Sequence, residues 1–397
     1  MRILYLASEE IPGRMGGSVH AWEVARGLAA RGHEVTALVD RRPDQTREER
    51  IEGVRIARVR LRVRGRMIPL RGLPAAMRLA RAADVIMERH ITPGGAGAVI
   101  ARARGIPLVL EVNSPHVEEF LWRMDIRSPL LRRALRAWVN WQFRACRLAV
   151  APRANIVPEC ARDRVAVRGW GVDAERFRPE AANTPGAEAF SARNALAGRV
   201  PVLFAGSFRA WHGARDLPEI ARRTLARAPE AKFVLLGEGE LLDEVRAAVQ
   251  AQGLSKDVAF AGSVAHAEMP AAVASCAVGI APYDTGAYPP LAQFGFFWSP
   301  LKIFEYMACG LPVVVFAYEG LREQVGEAER GLAVVPRDLD AFARAIALLV
   351  RDRSARRDMG ACARAWVLRE HTWRDHVAWL EARLLEVTGA PRDRSAP

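Results

Sequence analysis

Short apolar runs alternate with longer amphipathic stretches along most of this chain. ILYLAS (3–8), EVTALV (34–39), DVIMERH (84–90) and PLVLEVNSPH (107–116) read as buried strands of the first half. VLFAG (202–206), FVLLG (233–237), VAFAG (258–262), VGIAPYD (278–284) and VVVF (313–316) repeat the pattern in the second half. Such runs, β-branched and bounded by turn residues, suit strands buried on both faces. A helix is predicted at about 18–31, with Ser18 as N-cap and Gly32 as stop. The chain closes with two more amphipathic helices, AFARAIALLV and WRDHVAWLEARLLEV. Strand–helix alternation of this kind predicts an α/β protein of two doubly wound, Rossmann-like domains facing a central cleft. The expected divisions are 1–172, 173–375 and a last helix with tail at 376–397. The weakly patterned 180–199 reads as a linker and lead-in to the second domain.

Two segments depart from plain alternation. In GVRIARVRLRVRGR (53–66), Arg58, Arg60, Arg62, Arg64 and Arg66 fall on every second position. A strand there would line guanidinium groups along one face, either as a solubilising edge or as a contact for anions. Residues 127–148 form a basic helix with Trp138, Trp141 and Phe143, fit either for a membrane surface or for packing inward.

With 397 residues the chain is long enough for two or three domains with real cores. Five scattered cysteines without a CxxC pair read as reduced thiols, neither a disulfide framework nor a zinc site. No apolar run reaches the ~18–20 residues that span a bilayer. The chain opens on a strand-like run without a signal-peptide pattern, so a cytoplasmic location is expected, with peripheral attachment to the inner membrane face as an extension. Only the final APRDRSAP has a disordered composition. The net charge of +13 is uneven: residues 1–172 hold 31 arginines against 17 acidic residues, +14, and the rest is near neutral. Such asymmetry points to an anionic partner for the first half.

The chemistry concentrates in Ser299–Pro312, SPLKIFEYMACGLP. Ser299 suits an N-cap and Pro300 the first helical position, and Gly310 ends the helix after Cys309. Lys302 and Glu305, three apart, share a face. The helix N-terminus, at Leu301 and Lys302, offers free amides and a positive dipole end to phosphate. Glu305 lies further along the axis, within reach of a ribose. A Lys/Glu pair on a half-exposed helix is the plain alternative.

This stretch resembles the C-terminal signature of the family 4 glycosyltransferases, retaining enzymes of the GT-B fold, in the variant SPLK-x-FEYMA-x-G-x-PVV. The resemblance extends over GGSVH with the helix ending GHEV, the Glu88–Arg89 pair, EVNSP (111–115) and GVD-x-x-x-F-x-P (171–179). It implies that Glu305 binds the ribose of a nucleotide-sugar donor and that Gly16 and Gly17 face the donor. It places His116 beside the reacting sugar. Where relatives carry Arg and Lys for the diphosphate, GSFRAWHG (206–213) has Ser207 and His212. Arg209, Lys302, the helix N-terminus at 300–302 and a charged His212 are the expected replacements, and His116, Arg209 and Lys302 are the candidate catalytic groups. The first Glu of the usual E-x7-E pair is absent, because Phe297 stands there.

The implied reaction moves a sugar, with retention, from nucleotide-sugar donor to a glycan or lipid-linked acceptor, without metal or other cofactor. The donor belongs to the second domain and the acceptor to the first, which carries the charge for an anionic membrane surface. A non-catalytic GT-B scaffold fits the altered phosphate residues. A nucleic-acid-binding protein fits the charge but leaves Glu305 idle, and no nucleic-acid module is recognisable.

Overall fold

The computed structural model describes residues 1–13, 15–63, 66–67, 69–265 and 267–389. It divides into two compact units. The first comprises residues 1–171, 297–299 and the chain from Trp373 onward; the second comprises 172–296 and 300–372.

Ten strands belong to the first unit: β1 Arg2–Leu6, β2 Glu34–Asp40, β3 Glu48–Ile51, β4 Val54–Val59, β5 Arg62–Val63, β6 Arg66–Met67, β7 Val85–Arg89, β8 Leu108–Glu111, β9 Leu148–Ala151 and β10 Val165–Val167. Eight form one sheet in the order β10-β9-β8-β7-β1-β2-β4-β3, parallel except for the β3–β4 edge pair. The order reverses between β1 and β7, and doubly wound sheets bind ligands outside the strand ends at such a point. Ile3, Tyr5, Val35, Val39, Ile56 and Val109 build the core. The helix Trp373–Thr388 adds Val377, Leu380 and Leu384 to it. Gly27 makes that seat, since a Cβ there would come within 2.6 Å of Val377.

Six strands form the second sheet: β11 Val200–Ala205, β12 Ala231–Leu236, β13 Val258–Gly262, β14 Val278–Ala281, β15 Val313–Phe316 and β16 Gly331–Val334. All pair in parallel, in the order β13-β12-β11-β14-β15-β16, and the order reverses between β11 and β14. The expected α/β class and GT-B architecture hold, with one parallel Rossmann-like sheet in each unit.

Three expectations need correction. The arginine row is not one strand. β4 ends at Val59, and Arg58 turns inward, buried between Glu49 and the Ile11 carbonyl. Arg62 lies in the separate β5–β6 hairpin and pairs with Asp40 at 2.9 Å. Arg64 lies outside the described residues, as do the final residues 390–397. The stretch 180–199 is not a bare linker: Thr184 caps a helix Pro185–Arg193 whose Phe190 is buried. The first helix starts at Gly16, not Ser18, and Ser18 is buried within it.

Candidate active site

In the second unit, β11 and β14 flank the switch point and the loops that follow them build a cluster around Lys302. β11 runs into Gly206, then through Ser207 and Arg209 to a 3-10 turn, Ala210–His212, closed by Gly213. Gly213 has φ +73°, and a Cβ there would fall 1.7 Å from the Pro282 carbonyl after β14. Only glycine allows the two loops to close so tightly. Gly206 is required for another reason: a Cβ there would lie 2.1 Å from the Lys302 ammonium. The backbone thereby gives way to the lysine.

Lys302 belongs to the helix Leu301–Ala308. This helix begins later than expected, after Pro300, and no side chain caps it. The expected cap, Ser299, accepts instead from the Trp170 amide at 2.7 Å. The first-turn amides of Leu301 and Lys302 therefore keep their capacity for an anion. The helix ends as expected before Gly310, at φ +77°.

Lys302 Nζ stands 3.5 Å from His212 Nδ1 and over the rings of Phe204 and Tyr283, at 5.3 and 5.2 Å. Burial pulls its pKa down to about 7, against the pull of Glu305. Burial and the neighbouring Lys302 push His212 down to about 2, so its imidazole is neutral. A charged His212 is thus not the replacement for the missing phosphate cation. Glu305, one turn on, is buried and pushed up to about 8 by desolvation, which Lys302 and Arg176 oppose. Ser207 contributes its backbone to His212. Arg209 remains exposed, its guanidinium 5.1 Å from the Trp211 ring. Lys302, His212 and Glu305 therefore form the cluster, with Arg209 at its surface.

Two participants escaped the sequence reading. Tyr306 is fully buried and its hydroxyl accepts from the Ala205 amide at 2.7 Å. It ties the helix to the last residue of β11, just before Gly206. Tyr283 forms part of the aromatic wall. Tyr306 stands inside the FEYMA motif, but nothing in spacing distinguishes a tyrosine that positions from one that packs. Phe297, in place of the first Glu, is fully buried.

In the first unit, the switch point carries a buried ionic network. Arg89 pairs with Glu111 and, at 3.0 Å, with Glu9. Glu111 also accepts from Tyr5 at 2.7 Å and lies 2.7 Å from His20 Nδ1. Burial opposes the charge of Glu111, but Arg89 and His20 outweigh it and hold the carboxyl far below its ordinary range. His20 stacks on Trp170 at 4.5 Å, and burial lowers its pKa. Gly17 abuts this network: a Cβ there would approach Glu9 to 3.3 Å and Arg89 to 3.5 Å. Gly16 lies beside Trp170. Glu88, of the Glu88–Arg89 pair that carries the resemblance, is buried and accepts from the Gly95 and Gly97 amides at 3.1 and 2.9 Å. It caps the helix Ala96–Arg104 and is structural. His116 opens the helix His116–Arg123, with Nδ1 3.1 Å from Ser114 Oγ. Burial, helped by Arg89, lowers its pKa to about 3, so it is a neutral imidazole.

Residues 15–176 match the family model Glycosyltransferase Family 4, and residues 188–366 match Glycosyl transferases group 1. The chain belongs to the family 4 glycosyltransferases. A GDP-mannose-dependent α-(1-6)-phosphatidylinositol monomannoside mannosyltransferase of Mycobacterium tuberculosis is 32% identical over 209 residues, 51% of each chain. That match spans about half the length of this relative. The protein of the same description from Mycolicibacterium smegmatis is 27% identical over 98% of this chain and 99% of its own. The crystal structure of Anabaena HepE in complex with UDP superposes with a TM-score of 0.72 over 97% of this glycosyltransferase and 100% of that chain, at 18% identity. This likeness establishes the GT-B fold.

Proposed function

We propose that this glycosyltransferase moves a hexose from a nucleotide-sugar donor to a glycan or lipid-linked acceptor, with retention and without a metal. The observation that carries the reading is the uncapped helix Leu301–Ala308, with Lys302 at its first turn and Glu305 one turn on. The donor diphosphate would meet the Leu301 and Lys302 amides, the Lys302 ammonium and Arg209. Glu305, its carboxyl kept protonated near neutral pH by burial, would exchange hydrogen bonds with the ribose hydroxyls. Charge growing on the leaving diphosphate is then met by fixed amide donors and two cations, Lys302 and Arg209, the electrostatic part of the catalysis. In the retaining step the bond from the anomeric carbon to the phosphate oxygen breaks as the acceptor oxygen attacks the same face. The acceptor's proton passes to the departing phosphate oxygen. Neutral His116, in the first unit, is suited to hold a sugar hydroxyl and not to carry charge. The two mannosyltransferases named above, described as GDP-mannose-dependent, support a hexosyl donor.

The acceptor is an anionic or lipid-linked molecule at a membrane surface. The turn between the helices His116–Arg123 and Pro129–Ala145 supports this reading better than the arginine row does. Trp122, Met124, Leu130 and Leu131 are exposed there, Leu130 by 79%, among Arg123, Arg127, Arg132 and Arg133. No helix among the described residues is long and apolar enough to cross a membrane.

The deciding experiment is a thermal-shift screen of UDP-, GDP- and ADP-sugars, followed by turnover of the stabilising donor with lipid-linked acceptors. A bound donor at ~100 times Kd adds about 2.7 kcal/mol. Absence of stabilisation by every donor at millimolar concentration would refute the reading.

A further inference from the structure

Residues 297–299 pack with the first unit, although the chain on both sides of them belongs to the second. The helix that carries Lys302 and Glu305 starts just beyond them, at Leu301. Within the first unit this short excursion is pinned at both ends. Phe297 is wholly buried, and Ser299 Oγ accepts from the Trp170 amide at 2.7 Å.

Trp170 is itself held on several sides. Its indole donates to Asn113 Oδ1 at 2.9 Å, and its ring stacks on His20 at 4.5 Å. The preceding carbonyl, of Gly169, accepts from His376 Nδ1 at 2.9 Å. Asn113 and His20 both reach Glu111, at 3.2 and 2.7 Å, and Arg89 holds that carboxylate at the switch point. An unbroken run of contacts thus leads from Arg89 and Glu111 through Trp170 to Ser299.

Beyond Ser299 the backbone has little freedom to absorb a shift. Pro300 fixes its own φ, here −82°, and confines the residue before it to extended backbone. Only ψ of Ser299 and ψ of Pro300 then separate the bonded serine from the Leu301 amide. The helix also has no side-chain cap, the usual device for fixing a helix start. The bond to Trp170 takes over that task from outside and leaves the first-turn amides open.

We propose that Ser299 and Trp170 are positioning residues whose bond sets the direction of the Leu301 and Lys302 amides, tying diphosphate affinity to the ionic network of the first unit. The positioning stands on the contacts; its effect on a diphosphate rests on the donor reading of the site. Hydrogen bonds weaken steeply with angle, so a small turn of the first helical residues costs phosphate affinity without unfolding the helix. The nucleoside, held further along at Glu305, is spared.

The test uses the full chain. Its lysines are Lys232, Lys256 and Lys302, so 15N-lysine labelling gives one backbone amide signal at the helix start and two internal controls. Trp170→Phe keeps a ring over His20 and removes the donor to Asn113. It should shift the Lys302 amide and leave Lys232 and Lys256 in place. In a Ser299→Ala background the same change should no longer move Lys302, the non-additivity expected of groups acting in series. A Lys302 amide that ignores Trp170→Phe, or answers it equally without the Ser299 hydroxyl, overturns the proposal. The binding arm compares UDP and GDP with uridine and guanosine by calorimetry. Ser299→Ala should weaken the diphosphate by roughly 3- to 10-fold, the scale of one neutral hydrogen bond, and leave its nucleoside within about twofold. Ser299→Thr, which keeps the hydroxyl, should restore the affinity. Equal losses for both ligands, or none, overturn the tie to the diphosphate. If the wild type binds neither diphosphate while Lys302 still answers Trp170→Phe through Ser299, the positioning stands and the donor reading alone fails.

Discussion

If Lys302 holds the donor diphosphate as proposed, donor binding should weaken as pH rises. Its ammonium is buried against Phe204, Tyr283 and His212, and burial pulls its pKa from 10.5 to about 7. A diphosphate at the neighbouring amides restores the charged form, so binding takes up a proton. Below pH 7 the lysine is already charged and affinity is full. Above that, each pH unit adds the cost of protonation, about 1.36 kcal/mol or tenfold, until the pKa of the complex is reached. Between pH 6 and pH 9 the affinity for the donor should fall by roughly 30- to 100-fold on this arithmetic. The ligand must be the intact nucleotide-sugar, whose diphosphate diester does not titrate in this range.

Titration calorimetry in buffers of different ionisation enthalpy reads the proton uptake directly. Lys302→Met should abolish the uptake and flatten the profile. The same group acts on stability. Its folded pKa lies below the unfolded one, so from about pH 7 to 10.5 the unfolded chain binds more protons and stability rises with pH. Glu305 has the opposite sign: its pKa is raised to about 8, so its contribution is full below 4.5 and is lost as pH rises through 8. Glu305→Gln removes that part and isolates the lysine. Donor affinity unchanged from pH 6 to 9, with heats independent of buffer, would refute the assignment of Lys302 to the diphosphate.

Three further outcomes are expected. Glu305→Ala should weaken donor binding by roughly 0.5–1.5 kcal/mol, the range for a hydrogen bond between neutral groups, with the fold retained; unchanged calorimetric affinity would remove Glu305 from the ribose. Tyr306→Phe keeps the ring but strands the buried Ala205 amide, at about 1–3 kcal/mol of stability, and should loosen the diphosphate more than the bare nucleoside; an unaltered melting curve would show that the bond does not matter. Wild-type protein should sediment with anionic vesicles at low salt and lose this in Leu130→Ser, Leu131→Ser, Arg132→Ser, Arg133→Ser combined; no sedimentation of the wild type would end the membrane reading.

What the chain discloses before folding, and what it withholds, divides by interaction range. Strand runs such as VLFAG and VVVF are legible because a parallel strand buried on both faces must be apolar throughout. Gly310 is legible because its left-handed backbone is a local demand. Ser299 misled because its hydroxyl satisfies a cap in sequence but a distant amide, Trp170, in space. Arg58 misled likewise: alternation marks a face, but not whether Glu49 and a carbonyl draw that face inward. Glu88 and Arg89 are adjacent and both buried, yet one caps a helix and the other holds an ionic network. At the phosphate site the same logic runs further. Losing the family's Arg and Lys at Ser207 and His212 looks like loss of function if charges are counted along the chain. Counted in space, an uncapped helix end and a lysine seated against Gly206 occupy the same ground. A buried lysine poised near neutrality is a weaker standing charge than two exposed cations, but it gains most when an anion arrives. On the proposed reading, selective response to the diphosphate would follow from burying Lys302 behind the exposed Arg209, not from adding further charges.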